Sequence, residues 1–325
     1  MTTMSVLADR TRNGTPTLEL IVESRACEAE GVVSLVLRDP NGQALPEWDA
    51  GAHVDVYVPG MVRQYSLSGL PSDRETYRVA VLREPNGRGG SQHVHDSIRT
   101  GDRLEVGHPR NNFRLLNSDR YLFIAGGIGI TPILPMIAAA SASGADWSLL
   151  YGGRSRGSMA FLGELETYGE RVMVRPQDEF GLLDLEGVLG SFPEGLVYCC
   201  GPEALLGAVE RSCQDWRPGR LQVERFAAKS APANGVSTEF EVHCADSGVD
   251  VRVPCDQSLL DALLVAGVDV NFECREGTCG SCELEVLEGR PDHRDSIVNR
   301  ADPETENVIF PCVSRAFGPR LVLDV

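Results

Sequence analysis

Lysine is almost missing from this chain: of its 30 basic residues only Lys229 is a lysine, and the rest are arginine. Against 47 Asp and Glu the formal net charge is −17, which excludes the basic stripe that a nucleic-acid backbone requires. No run of eighteen apolar residues occurs, so no segment has the length of a membrane-spanning helix. The opening MTTMSVLADRTRNGTPT lacks the charged, apolar, small-residue progression of an export signal. A cytoplasmic protein with no membrane partner is expected, and that decides how its ten cysteines read: as reduced thiols or metal ligands rather than disulfides. Internal repeats and low-complexity tracts are also missing. What the 325 residues do have is 42% hydrophobic content, enough for buried cores in two or three domains.

Residues 1–117 carry alternating apolar runs, VVSLVLRD, HVDVYV and YRVAVLRE, broken by DPNGQ and EPNGRGG. Short antiparallel strands in a barrel or sandwich follow from that punctuation. Over 118–228 the pattern changes to apolar strands alternating with helical stretches: YLFIA, TPILPMIAAAS, WSLLYGG, SMAFLGELETY, RVMVRP, LVYCC, PEALLGAVERSC, RLQVERF. Such alternation predicts an α/β domain with a parallel sheet. Small, polar residues with a proline mark 229–238 as a linker. In 239–325, TEFEVHCADSGVDVRVPC and SLLDALLVAGV predict a hairpin and a helix ahead of a cysteine loop.

That loop reads C-R-E-G-T-C-G-S-C, placing Cys274, Cys279 and Cys282 at C-x4-C-x2-C spacing with Cys312 further on in FPCVSRA. This is the plant-type [2Fe-2S] ligand pattern, whereas zinc favours C-x2-C pairs taken twice. Gly277 and Gly280 supply the sharp turns that wrapping a cluster requires. The other six cysteines, Cys27, Cys199, Cys200, Cys213, Cys244 and Cys255, have no ligand spacing and read as buried small hydrophobes.

Arg63-Gln64-Tyr65-Ser66 closes a strand and Arg88-Gly89-Gly90-Ser91 follows the next. A flavin needs a planar wall, a hydrogen bond near its reactive nitrogen and cationic or N–H-rich groups for its phosphate. Tyr65, Ser66 and the Arg63/Arg88 pair can meet these demands, though a core aromatic and a glycine-rich hairpin turn explain the same residues. YLFIA runs into Gly126-Gly127-Ile128-Gly129-Ile130-Thr131-Pro132 and a helix, and LVYCC into Gly201-Pro202 and another. Both are places where nucleotides meet open parallel sheets, without the G-x-G-x-x-G fingerprint of an ordinary dehydrogenase.

Taken together, RQYS, GRGGS, GGIGITP, CCGP, ERF and the four cysteines resemble the phthalate dioxygenase reductase family, which includes vanillate demethylase reductases. The resemblance covers nearly the whole chain in the order flavin, nucleotide, ferredoxin; methane and toluene monooxygenase reductases typically put the ferredoxin first and carry FAD. It implies a multidomain protein: an antiparallel β-barrel flavin domain, an α/β nucleotide domain and an α+β β-grasp ferredoxin domain. FMN is the implied flavin, with Arg63, Tyr65 and Ser66 at its ring, Arg88, Gly89, Gly90 and Ser91 at its phosphate, and Gln64, Val81 and Leu82 also among the cofactor-binding residues. Gly127, Gly129 and Thr131 would follow the nicotinamide nucleotide, with Cys200, Gly201 and Pro202 near the nicotinamide. Phe226 of ERF matches the aromatic that covers the flavin. Ser66, Thr131, Cys200 and Phe226 are thus the residues expected at the reacting rings. The family implies NADH, yet Arg154 and Arg156 stand where the adenosine ribose is expected, and such arginines can hold the 2′-phosphate of NADPH.

Hydride moves two electrons and the cluster accepts one, so a flavin between them is required. The implied activity is an NAD(P)H-dependent reductase feeding a terminal oxygenase of the Rieske type. Residues 238–325 carry 18 Asp and Glu against 7 Arg, which suits docking of a basic partner near the ferredoxin domain and equally suits a solvated surface. Two other readings are an FAD-dependent ferredoxin-linked hydroxylase reductase and a redox-sensing iron-sulfur carrier.

Overall fold

A computed structural model describes residues 10–12, 15–228, 237–298 and 307–325. Most of the expected linker, residues 229–236, lies outside the described residues. The chain divides into two compact units, one built on Pro16–Glu224 and the other on Arg225–Val325. Among the described residues no helix is long and apolar enough to cross a membrane.

The first unit begins with β1 (Arg10–Arg12), β2 (Thr15–Ala29), β3 (Val32–Arg38), β4 (His53–Val58), β5 (Met61–Ser66), β6 (Thr76–Leu82), α1 (Gly90–Ser97) and β7 (Arg103–Gly107). Antiparallel pairing runs β5-β4-β7-β2-β3-β6, and β1 pairs with β2. A Leu67–Val79 bridge and the Ser68 N–H to Arg78 carbonyl bond (2.8 Å) join the two ends into a barrel, which removes the open sheet edge. Alternate residues of the strands, Leu18, Leu20 and Val22 on β2 and Leu35 and Leu37 on β3, fill its core.

One charge is enclosed in that barrel. Asp55 on β4 is 0% exposed; its Oδ2 forms an ion pair with Arg110 Nη2 at 2.7 Å and its Oδ1 accepts from Gln64 Nε2 at 2.6 Å. Gln64 lies directly opposite it on β5, so the carboxylate pins β5 from beneath.

The same unit continues with β8 (Arg120–Gly126), α2 (Ile133–Ser143), β9 (Asp146–Gly153), α3 (Leu162–Leu165), β10 (Val172–Pro176), α4 (Gln177–Phe180), α5 (Leu185–Gly190), β11 (Leu196–Cys200), α6 (Glu203–Ser212) and β12 (Leu221–Glu224). All five strands are parallel in the order β10-β9-β8-β11-β12. The strand order reverses between β8 and β11, the place where open α/β sheets receive ligands. The expected helix over SMAFLGELETY is shorter than its pattern suggests: only α3 and two 3-10 turns form. The consecutive residues Met159, Ala160 and Phe161 are all buried, and a surface helix buries only a stripe, so Phe161 turns instead to φ 63°. Val32, Ala50, Ala80 and Phe113 from the barrel segment pack into the core of this sheet, and the Glu30 N–H bonds the Gly157 carbonyl at 2.8 Å.

The second unit holds β13 (Phe240–Cys244), β14 (Val249–Val253), α7 (Leu259–Val265), β15 (Leu284–Glu288), β16 (Pro291–Asp292), β17 (Val308–Ile309), β18 (Arg315–Ala316) and β19 (Arg320–Leu323). Its main sheet runs β14-β13-β19-β15-β17 with β13 and β19 parallel at the centre, and β16 pairs with β18. Ser258 caps α7 by accepting from the Asp261 N–H at 3.0 Å, which turns Leu259, Leu260, Ala262 and Leu263 onto the sheet. This is the β-grasp arrangement, with a core of its own. Cys199, Cys200, Cys213 and Cys244 are buried as expected, but Cys27 and Cys255 are exposed: Cys27 lies on the exposed end of β2 and Cys255 in the turn after β14, away from either core.

Replacing Asp55 by Ala removes a buried carboxylate that faces both Gln64 and Arg110, and a loss of about 3 kcal/mol is expected. Arg120→Ala, which breaks an exposed pair with Asp146, is expected to cost less than about 1 kcal/mol. Thermal unfolding of the two variants side by side measures the difference.

Candidate functional site

The end of β5 and the start of α1 form the first part of the site. Arg63 and Tyr65 share one side of β5, since successive residues of a strand alternate. A Cβ built on Gly90 would lie 2.8 Å from Arg63 Cγ and Nε, so the missing side chain is what lets this arginine cross the first turn of α1. There the guanidinium and the free N–H groups of a helix N-terminus make an anion cradle. The loop before it is held by Ser91 Oγ accepting from the Glu84 N–H (3.0 Å) and by the Gln92 amide donating to the Glu84 and Pro85 carbonyls. Gly89 leads into the helix at φ 97°, and Arg88 precedes it. The Tyr65 hydroxyl is buried with no hydrogen-bond partner among the described residues. Burial pushes its ionisation up to about 12 while Arg63 pulls the other way. A buried donor without a partner costs free energy unless a ligand satisfies it, so this wall fits a flavin. Ser66 is buried at the end of β5 and Val81 in β6, whose carbonyl meets His95 Nε2 at 2.9 Å; Leu82 is half-buried beside it.

The second part lies at the carboxyl edge of the parallel sheet. From β8 the chain enters a 3-10 turn, Gly127–Ile130, and Thr131 then donates its hydroxyl to the Ile128 carbonyl at 3.0 Å. A Cβ on Gly129 would lie 2.2 Å from the Cys200 carbonyl oxygen and 2.7 Å from the Gly201 nitrogen. Only glycine permits this contact, which locks the turn after β8 onto the turn after β11 where the strand order reverses. Pro202 then leads into α6. Arg154 and Arg156 follow β9, both exposed, and Arg156 is paired with Glu179 of α4.

Cys200 is fully buried and its Sγ lies 3.8 Å from Glu224 Oε2, the last residue of β12 and its register partner. Burial, then the neighbouring Glu224, raises the thiol well above its usual range. Burial likewise pushes the Glu224 carboxyl from the ordinary 4.5 up to about 8, against a smaller pull from the thiol that donates to it. Sequence reasoning left Glu224 without a role inside ERF; the signal was an acid closing an otherwise apolar parallel strand. Phe226 belongs to the second unit and is 45% exposed.

Four of the six cysteines of the second unit come together as two pairs, Cys274 with Cys279 and Cys282 with Cys312. The loop around them turns through positive φ at Arg275, Gly277 and Gly280. Gly277 is required twice over, because a Cβ there would also meet Val313 at 2.5 Å. Backbone N–H groups point at sulfur: Glu276 and Thr278 at Cys274, Ser281 at Cys279, and Gly277 at Cys312. The hydrogen bond from Cys279, assisted by Thr278 and those amides, holds the Cys274 thiol below its usual range against the effect of burial. Four soft donors in a cage of N–H groups fit an iron-sulfur cluster, which needs thiolates and is tuned by such bonds. Behind the loop, buried Asp295 accepts from the N–H groups of Ile297 and Val298 and from Ser314 Oγ, while the Ser296 N–H holds the Gly277 carbonyl at 2.8 Å. That staple, which joins the loop to the segment of Cys312, has no sequence signature.

A raised Glu224 gives a pH dependence of definite sign. The folded chain keeps this proton up to about pH 8 whereas the unfolded chain releases it near 4.5, so the contribution to stability is full below 4.5 and falls as pH rises to 8. The melting temperature of the wild type is expected to decline relative to Glu224→Gln between about pH 5 and about pH 8, and parallel melting curves across that range would remove the assignment.

Comparison with known proteins joins these parts. Residues 242–316 match the 2Fe-2S iron-sulfur cluster binding domain. The sequence is 40% identical to the phenoxybenzoate dioxygenase subunit beta of Ectopseudomonas oleovorans over 312 residues, 95% of this chain and 97% of that one. Among solved structures it is similar to an intact type IV self-sufficient cytochrome P450 monooxygenase, at 41% identity and a TM-score of 0.88 over 94% of this chain, and it spans only 41% of that longer protein. It is also similar, at 37% identity and a TM-score of 0.68, to phthalate dioxygenase reductase, described as a modular structure for electron transfer from pyridine nucleotides to [2Fe-2S]; that match covers 95% of this chain and 98% of the reductase. With an unpartnered phenol beside an anion cradle, a nucleotide-type switch point and a four-cysteine cage on one chain, the protein belongs to the phthalate dioxygenase reductase family of flavin- and NAD-binding iron-sulfur oxidoreductases.

Proposed function

We propose that the chain draws electrons from NADH through FMN to a [2Fe-2S] cluster and delivers them singly to a separate terminal oxygenase. The observation that carries the reading is the pairing of a nucleotide-type switch point with a four-thiol N–H cage in one chain, since neither a carrier nor a simple dehydrogenase needs both. Flavin, when bound, takes two electrons with the hydride and returns them one at a time, as the donor and the cluster together demand.

The residues have the following work. Arg63, Arg88, Gly89, Gly90 and Ser91 hold a flavin phosphate, and a cradle with one helix terminus and one crossing arginine suits the single phosphate of FMN. Tyr65 and Ser66 orient the ring from β5, which Asp55 pins through Gln64. Gly127, Gly129 and Thr131 seat the nicotinamide nucleotide and let it lie close to the turn, while Cys200, Gly201 and Pro202 bound the nicotinamide end. Below about pH 8 Glu224 keeps its proton beside the Cys200 thiol, so this end of the site is uncharged and apolar towards the nicotinamide ring. Positioning rather than acid-base chemistry is the protein's contribution.

The acid-rich 238–325 segment supports docking of a basic partner near the ferredoxin domain. Kinship with Rieske-type systems in the resemblance favours a non-haem iron oxygenase, and the TM-score of 0.88 to a P450 monooxygenase favours a haem enzyme as the second candidate.

Flavin released by acid from the purified protein is expected to chromatograph as FMN; FAD would overturn that assignment. Cys279→Ser is expected to lower the ratio of cytochrome c reduction to ferricyanide reduction at least about tenfold, on the order of 1.4 kcal/mol of lost transfer. An unchanged ratio would show that electrons leave without passing the cysteine cage.

A further inference from the structure

The Arg156 guanidinium is held by Glu179 in a two-point contact, Nε to Oε1 at 3.2 Å and Nη2 to Oε2 at 3.1 Å. The two residues come from neighbouring strand ends. Arg156 follows β9, Glu179 follows β10, and Gly153 and Pro176, the last residues of these strands, are register partners. The Asp178 N–H bonds the Arg154 carbonyl at 3.2 Å, seating α4 on the arginine turn. Ser155 and Ser158 cap one another within that turn and fix its shape. β9 in turn lies beside β8, with Gly152 opposite Gly126. Three successive features therefore line one edge: the glycine turn, the Arg154–Arg156 turn and α4.

A nucleotide whose pyrophosphate lies on the glycine turn extends its adenosine along this edge, over the end of β9. At the ribose, an acid that accepts from the 2′-hydroxyl selects NADH, and an arginine that forks a 2′-phosphate selects NADPH. Here both residue types are present and bonded to each other. As a surface ion pair the contact contributes little stability; its consequence is that the Nε–Nη2 edge of the guanidinium, which would clasp a phosphate in the same two-point manner, is already taken by a carboxylate. Asp178 and Glu166 add negative charge around the same arginine, which a dianionic phosphate must also face. A neutral 2′-hydroxyl meets no such opposition and can donate to the carboxylate.

We propose that Glu179 is the coenzyme-specificity residue of this reductase: by occupying the Arg156 fork it excludes the 2′-phosphate of NADPH and leaves NADH as the donor. The inference rests on the reading of the first unit as a nicotinamide-nucleotide site. The test uses the full-length flavoprotein at low ionic strength, where exposed charges are least screened. Affinities for 2′,5′-ADP and 5′-AMP are measured by calorimetry, and kcat/KM for NADPH and NADH by flavin-linked oxidation, in the wild type, in Glu179→Gln and in Glu179→Gln combined with Arg156→Ala. Glu179→Gln is expected to raise the preference for 2′,5′-ADP over 5′-AMP, and the NADPH to NADH ratio of kcat/KM, by about tenfold, and the double variant is expected to lose that gain. Ratios that stay at the wild-type value in Glu179→Gln overturn the proposal. So does a gain that survives removal of Arg156, since the arginine would then not be the group set free. A wild-type protein that binds neither adenosine nucleotide and whose flavin neither coenzyme reduces overturns the nucleotide-site reading itself, an outcome distinct from normal NADH reduction with an unmoved ratio.

Discussion

The close approach of Gly129 to the Cys200 carbonyl is the contact on which the geometry of the first unit depends. Two turns from strands β8 and β11 cannot share that space if either carries a side chain at the crossing, and their interlock fixes the carboxyl edge of the sheet at the point where strand order reverses. Thr131, Cys200 and, one strand further, Glu224 are placed by it. The barrel is not free to drift from this edge, because Val32, Ala80 and Phe113 enter the same core as Phe123 and Tyr151, and close-packed cores transmit position. The crossing of Arg63 over α1 and the carboxyl edge of the parallel sheet are thereby features of one packed body.

The second unit solves a different problem, that of keeping four thiols together without burying uncompensated charge. N–H groups from its own loop turn towards the sulfurs, and Asp295 with Ser314 and Ser296 ties that loop to the strand segment of the fourth cysteine. Burial opposes ionisation of Asp295, yet the nearby His293 ring, the backbone amides of Ile297 and Val298 and the Ser314 hydroxyl keep its carboxyl below its usual range. A carboxylate that remains ionised is the better acceptor, so the staple is strongest in the charged form.

The parts of this protein visible in its sequence are those whose chemistry is local. Cys274, Cys279, Cys282 and Cys312 announce themselves by spacing, and strand-turn-glycine runs mark both turns of the switch point. The antiparallel and parallel halves follow from periodicity alone. What the sequence does not show is created by folding: Asp55 meets Gln64 and Arg110 from other segments, and Glu224 acquires its raised pKa only because folding buries the end of β12, against a smaller opposing pull from the Cys200 thiol. Glu179 meets Arg156 across two strand ends. The SMAFLGELETY segment misled because its apolar residues look helical when counted, whereas three consecutive ones are buried at once. GRGGS reads from the sequence either as a phosphate nest or as a hairpin turn; in the structure its last residues enter α1, with Gly89 at the helix entry.

The central claim is that one chain passes electrons from a nicotinamide nucleotide to the cysteine cage by way of a flavin. An anaerobic titration of the purified protein with NADH, followed by absorbance and electron paramagnetic resonance, tests it most directly. Flavin absorbance is expected to bleach while a rhombic signal of a reduced [2Fe-2S] centre grows with the same equivalents. Bleaching with dithionite but not with NADH, with no cluster signal under the nucleotide, would contradict it.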